Sequence, residues 1–112
     1  MYVLPDEYVQ QLMNELDETS QTYAKKKAMA EGLREDRKVT KAQLMSVAEA
    51  EGYSSLAKQE VFAYGHPTYK AILDKLRVAI EEEALWSYKC KMCELRFEAW
   101  RTISANTRAA TR

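Results

Sequence analysis

The sequence predicts an all-α protein, an antiparallel helical hairpin of two long helices joined by a short helix. Three of the five glycines and prolines in this 112-residue chain lie between residues 52 and 67, and good helix formers dominate on either side. Apolar residues recur there at alternating spacings of three and four, as they do in coiled coils. Because two helices bury only a narrow stripe each, we also expect the hairpins to assemble into a homo-oligomer.

The first helix is predicted over residues 6–51. Pro5 suits a first helical turn, Asp6 and Glu7 favour its positive end, and Gly52 is placed to end it. Its stripe consists of Val9, Leu12, Leu16, Thr19, Tyr23, Lys26, Ala30, Leu33, Arg37, Thr40, Leu44 and Val47. Because residues in the middle of this stripe are polar, the middle of the hairpin is predicted to have helices that are splayed apart, to contain more water, or to be contacted by a partner. Gly32 is expected to permit a bend or a close helix approach.

The short helix is predicted over residues 55–64. Ser54 or Ser55 supplies the hydroxyl that caps such a helix, and the Gly65-His66-Pro67 segment ends it. His66 is interpreted as a residue of this turn, because no partner for a catalytic triad is apparent.

The last helix is predicted over residues 68–103, with Thr68 as its N-cap. Its buried stripe consists of Tyr69, Leu73, Leu76, Ile80, Ser87, Cys90, Phe97 and Trp100. Residues 1–103 therefore form one helical domain. The small, polar and basic residues 104–112 are predicted to be a flexible tail.

Blocks of opposite charge favour an antiparallel pairing of the long helices. Residues 1–24 carry five acids and no lysine or arginine, whereas residues 89–112 carry six basic and two acidic residues. Residues 25–41 hold seven basic residues, and Glu81, Glu82 and Glu83 lie on the other arm. Folding about residues 52–67 places Arg34, Arg37 and Lys38 beside the glutamates, and places Glu15, Asp17 and Glu18 beside Arg101.

The amino-acid composition makes some classes of function less favourable for this chain than others. Equal numbers of basic and acidic residues, 17 of each, argue against a domain that binds nucleic acid through a strong basic excess. Neither a signal peptide nor a membrane-spanning stretch is recognised, so a cytoplasmic protein without membrane contact is expected. Cys90 and Cys93 are predicted to be reduced thiols that are buried or half-buried, because a zinc site needs four ligands and no second pair exists. No metal, other cofactor or enzymatic activity is predicted.

Aromatic and basic residues alternate in the last helix, which leaves two interpretations open. Trp86 and Trp100 lie among Lys89, Lys91, Arg96 and Arg101. Such residues can stack on single-stranded bases and hold phosphates, or the rings can pack into a helix interface while the cations remain solvated.

Several segments of the chain resemble a known family. The segment Arg37-Lys38-Val39-Thr40-Lys41-Ala42-Gln43-Leu44 resembles the basic segment of the T-even phage recombination mediator family. Later helices of that family are resembled by three further parts of the chain: Ser55 to Glu60, then Tyr69, Leu73 and Lys75, and finally Phe97 to Arg101. The resemblance covers about residues 23–103. The family's lysine before Ala-x-Leu corresponds to Lys41, whereas Gln43 stands where the family has a basic residue.

The resemblance implies a phage or prophage accessory protein of DNA recombination in the bacterial cytoplasm. It would bind single-stranded DNA as a homo-oligomer, together with a recombinase or annealing protein. The residues expected to contact DNA are Arg34, Arg37, Lys38, Lys41, Arg101, Arg108, Arg112, Trp86 and Trp100. The alternative is a structural or adaptor coiled-coil protein that binds only protein.

Overall fold

Three helices account for almost all of the chain that the computed structural model describes, residues 6–111. Helix α1 spans Asp6–Ala50, α2 spans Leu56–Gly65 and α3 spans Pro67–Ala110. The predicted all-α hairpin of two long helices joined by a short one is confirmed. Pro5, which is expected in the first turn, lies outside the described residues.

The chain divides into two compact units. Among the described residues, the terminal unit combines residues 6–25 with residues 83–111, and the hinge unit is Lys26–Glu82. In the hinge unit Leu44 packs with Ala63 and Tyr69, and Lys26 binds Glu82 at 2.8 Å. In the terminal unit the side chains of Thr19 and Cys93 meet, and Glu15 binds Arg96 at 2.9 Å. Residues later in α1 contact residues earlier in the returning part of the chain. The helices are therefore antiparallel within each unit.

The predicted register of the two long helices is wrong. Glu82 pairs with Lys26, and Glu15 pairs with Arg96 instead of lying beside Arg101. The prediction sets the point of reversal at the middle of segment 52–67, so half of this segment is assigned to each long arm. In the structure α2 packs beside the end of α1, so its residues belong to the returning arm and the point of reversal lies earlier in the chain.

The stripes that pack the helices together largely follow the predicted spacing. Two members differ, since Val47 and Ile80 are 45% and 40% exposed, while the neighbouring Ala48 and Ala79 are 0% and 4% exposed. An α-helix has 3.6 residues per turn, so the packed face drifts away from a strict heptad. Small residues fill the resulting positions because they allow the helix backbones to approach closely.

Gly32 does not mediate a close approach. A Cβ atom added at this position would meet no atom within 4 Å outside the local helix backbone, and the residue is exposed. Gly52, in contrast, adopts φ of +104°, where other residues are strained.

Both ends of the turn region are capped by local groups. Ser55, one of the two predicted caps, accepts a hydrogen bond from the Lys58 backbone N–H at 3.2 Å. At the start of α3 the prediction of Thr68 as N-cap is wrong. Pro67 is the first helical residue, and the His66 ring accepts a hydrogen bond from the Thr68 N–H at 3.1 Å. Proline suits this first position because its missing N–H would have no partner within the helix.

The predicted flexible tail is helical through Ala110. Residues 104–110 contain no glycine or proline, and alanine occupies three of these seven positions. Extending an existing helix is inexpensive compared with starting one, so these residues continue α3. Arg108 lies in the last turn, where a cation is favoured by the helix dipole.

Candidate functional site

The predicted DNA-contacting cations of α1 lie along the edge of its packed face in the hinge unit. Arg34, Arg37 and Lys41 are half-buried, and only Lys38 is exposed. Lys38 forms an ion pair with Glu35, one helical turn away, at 3.3 Å. The four cations therefore share one side of α1, but three of them are partly covered by the fold.

Lys41 is held by two groups of α2. Its Nζ lies 3.7 Å from a carboxylate oxygen of Glu60 and 4.9 Å from the centre of the Tyr64 ring. Interaction with the Tyr64 side chain, helped by the Glu60 charge, raises the pKa of Lys41 above its ordinary value, while desolvation opposes the rise. The charge on Lys41 therefore also attaches α2 to α1.

The predicted residues near the end of α3 line one cleft, which we call the Trp100 cleft. This cleft of about 740 Å³ is lined by Trp100, Arg101 and Arg108, with Asp6 and Glu98 contributing carboxylates. Arg101 forms an ion pair with Glu98 at 3.0 Å. The Trp100 ring packs on Phe97 of the same helix, with 5.4 Å between the ring centroids. Arg112 lies outside the described residues.

The indole N–H of Trp100 is buried without a hydrogen-bond partner among the described groups. An indole N–H can only donate, and an unpaired buried donor costs free energy.

A second cleft surrounds Trp86 in the same unit, and we call it the Trp86 cleft. It measures about 550 Å³ and is lined by Glu15, Thr19, Trp86, Tyr88, Lys89, Met92, Cys93 and Arg96. The Lys89 ammonium lies 4.1 Å from the centre of the half-buried Trp86 ring. A cation placed over an indole face in this way is attracted by the ring.

The Arg96 guanidinium closes one side of the Trp86 cleft. It donates two hydrogen bonds to the Glu15 carboxylate, at 2.9 and 3.3 Å, in the bidentate arrangement that suits this pair. The cleft therefore combines an aromatic surface, a flexible ammonium and a guanidinium whose position is set by Glu15.

Both cysteines are buried, in agreement with the prediction of two ordinary thiols that are buried or half-buried. Cys90 and Cys93 are free thiols that are 9% and 2% exposed. The Cys93 thiol lies 3.8 Å from the Thr19 hydroxyl, and an Arg96 nitrogen lies 3.6 Å from its sulfur. Among residues 6–111 no group of three His, Cys, Asp or Glu side chains is arranged to hold a metal ion.

Three contacts are not predicted by the sequence. The sequence identifies Arg96 as a candidate cation, but the predicted register places Glu15 beside Arg101 and not beside Arg96. Gln59 is buried and donates a hydrogen bond of 2.8 Å to the Tyr53 carbonyl, and Thr19 bonds to the Glu15 carbonyl. The spacing of Thr19 within the stripe indicates burial, whereas Gln59 carries no comparable signal.

Comparisons with protein-family models, with curated proteins and with solved structures returned no match. No helix among the described residues is both long and apolar enough to cross a membrane.

Proposed function

We propose that this protein is a non-enzymatic accessory factor of phage or prophage DNA recombination that binds single-stranded DNA as a homo-oligomer. The observation that supports DNA binding most directly is that α3 carries two clefts, each combining an indole with at least two cations. Aromatic rings among cations bind single strands because bases stack on the rings while phosphates contact the cations.

In the proposed complex the Trp86 cleft holds a base against Trp86, with Lys89 and Arg96 near the flanking phosphates. The Trp100 cleft adds Arg101 and Arg108, and Arg112 would follow them along the strand. Arg34, Arg37, Lys38 and Lys41 form the second proposed contact region, in the part of α1 that resembles the recombination mediators. Repeating these modest charges in an oligomer would raise the overall affinity.

Binding is measured with a fluorescein-labelled oligothymidylate and the full chain by fluorescence anisotropy. If about three phosphates are contacted, a tenfold increase in salt should weaken binding by about a hundredfold. Because the chain has two tryptophans, Trp86→Phe and Trp100→Phe each leave a single indole whose fluorescence should be quenched by stacked bases. Lys58→Ala, on the exposed side of α2, is the matched control for removing a cation.

The proposal predicts that Lys89→Ala and Arg101→Ala weaken oligonucleotide binding several-fold more than Lys58→Ala does. Circular dichroism establishes that each variant is folded. Failure of the wild-type protein to bind at low salt, or equal effects of all three substitutions, would contradict DNA binding at these clefts.

A second candidate function is that of an adaptor coiled-coil protein that binds only protein. It is favoured by the exposed apolar residues of α3, which include Leu85, Tyr88 and Leu95. This function predicts a protein partner whose affinity is unchanged by Lys38→Ala and Lys41→Ala, and no binding of the oligonucleotide.

A further inference from the structure

A second apolar stripe runs along α3 in the terminal unit. Leu85, Tyr88, Met92, Leu95 and Ala99 follow one another at spacings of three, four, three and four residues. Leu85, Tyr88 and Leu95 are 50%, 60% and 61% exposed, Ala99 is exposed and Met92 is half-buried. We call these five residues the outer stripe.

The outer stripe lies on the side of α3 away from its packed face. With 3.6 residues per turn, its centre is almost opposite that of Ser87, Cys90 and Phe97, which are buried or half-buried. Packing within the terminal unit therefore leaves the outer stripe largely uncovered. Exposed apolar side chains that recur along one face of a helix indicate an interaction site.

The spacing of the outer stripe indicates the shape of its partner. Alternation of three and four is the pattern by which one helix packs along another. The five residues extend over about 21 Å of helix, since each residue adds about 1.5 Å. An extended helix that lies along α3 can cover them all.

Charges at the edges of the outer stripe indicate the chemistry of that partner. Lys89 and Arg96 lie along one edge, and Lys91 and Glu98 lie along the other. In an antiparallel pairing with a second copy of α3, Lys89 would face Arg96 of the second copy. In a parallel pairing, Lys91 would face Arg96 of the second copy. The antiparallel pairing also sets Lys91 opposite Glu98, so its attractions and repulsions balance, and the parallel pairing opposes like charges. A helix with acidic edges would instead meet three cations and one carboxylate.

We propose that the outer stripe of α3 is a docking site for an acidic amphipathic helix of a partner protein. The apolar face of that helix covers Leu85, Tyr88, Met92, Leu95 and Ala99, and its acidic edges contact Lys89 on one side and Lys91 on the other. This inference goes beyond the proposed DNA binding and does not depend on it. Leu95 lines neither the Trp86 cleft nor the Trp100 cleft, so the two activities can be separated by substitution.

The test uses the full chain and two labelled synthetic helical peptides. Both peptides carry leucine at heptad a and d positions, and their flanking positions are glutamate in one and lysine in the other. The acidic peptide should bind at least tenfold more tightly at moderate salt. Leu95→Glu should weaken its binding at least tenfold, because a carboxylate would lie against the apolar face of the peptide and near its acidic edge.

Val39→Glu is the matched control, because Val39 is 54% exposed on α1 in the hinge unit. It should leave peptide binding unchanged, and Trp86→Phe should affect the oligonucleotide more than the peptide. Equal affinity for the two peptides, or no binding of either, would overturn the proposal. So would a loss of self-association in Leu95→Glu, measured by sedimentation, because a second copy would then be the occupant.

Discussion

Polar residues that interrupt the packed stripe of α1 are accommodated by particular contacts. The Thr19 hydroxyl bonds to the Glu15 carbonyl within the same helix and lies beside Cys93. The Lys26 ammonium reaches Glu82 at 2.8 Å, with both side chains partly exposed. Such partly exposed ion pairs contribute only about 0.2–1 kcal/mol, so the Lys26–Glu82 pair reports the register of the helices and adds little to the stability of the fold.

Lys41 provides a pH prediction at the scale of one residue. Since its folded pKa is raised, its contribution to stability is complete below the ordinary lysine pKa and is lost as the pH rises through the higher folded value. The difference in unfolding free energy between wild type and Lys41→Gln should therefore stay constant from about pH 6 to about pH 9. Urea denaturation at three pH values in this range measures it. A difference that shrinks between neutral pH and about pH 9 would contradict the assignment.

At the scale of elements, each helix end near the turn is determined by a few local groups. After α1, the Tyr53 N–H bonds to the Ala48 carbonyl and the Gly52 N–H bonds to the Glu49 carbonyl, both at 3.0 Å. This pair of bonds is the Schellman motif, which requires a residue with positive φ at the Gly52 position. At the start of α3, the His66 ring accepts a hydrogen bond from the Thr68 N–H and Pro67 begins the helix.

Two glycines of this chain should respond oppositely to replacement by alanine. Gly32→Ala should raise the unfolding free energy by about 0.5–1 kcal/mol, because Gly32 lies within α1 and space for the methyl group is open. Gly52→Ala should lower it by about 1–2 kcal/mol, because alanine is strained at positive φ although space is equally open. Chemical denaturation of both variants measures these changes.

Each glycine variant serves as the control for the other, since both add one methyl group into open space. Destabilisation by Gly32→Ala would indicate that the wild-type helix needs the freedom of glycine there. An unchanged stability in Gly52→Ala would show that the end of α1 can be rebuilt without a positive φ.

At the scale of the whole molecule, the core consists mainly of small side chains. Ala30, Ala48 and Ala63 are fully buried, and Leu12, Leu44, Tyr69 and Leu76 are the large residues in the core. No large side chain among the described residues is completely inaccessible. A core of this composition removes little apolar area from water, so a lone chain gains modest stability from it.

The proposed homo-oligomer predicts a melting temperature that depends on protein concentration. If association occurs in the folded state only, raising the concentration favours folding by mass action. The melting temperature, followed by circular dichroism, should rise by a few degrees over a hundredfold concentration range. Val39→Glu and Leu95→Glu, measured in parallel, test whether one apolar surface carries the effect. A melting temperature independent of concentration would contradict the oligomer.

The sequence predicts different parts of the candidate site to different degrees. Trp86, Lys89 and Arg96 are recognisable as one aromatic and basic group, because all three lie within eleven residues of the same helix. The Glu15 partner of Arg96 is not predictable in this way, since it depends on how two distant stretches align. The outer stripe was not predicted, although the spacing from Leu85 to Ala99 is visible in the sequence, because its members alternate with the aromatic and basic residues of the same segment.

Local chemistry is sufficient to specify three helices, the turn at Gly52, a serine cap at Ser54 or Ser55 and most of the packed face of α1, since each depends on neighbouring residues alone. Packing of α2 beside α1 determines instead, in the hinge unit, that Glu82 meets Lys26. In the terminal unit, packing of α1 on α3 brings Glu15 to Arg96. Charge blocks can specify direction, because attraction between exposed charges acts over several residues. They cannot specify register, because many alignments of the same blocks are nearly equal in energy until side chains interlock.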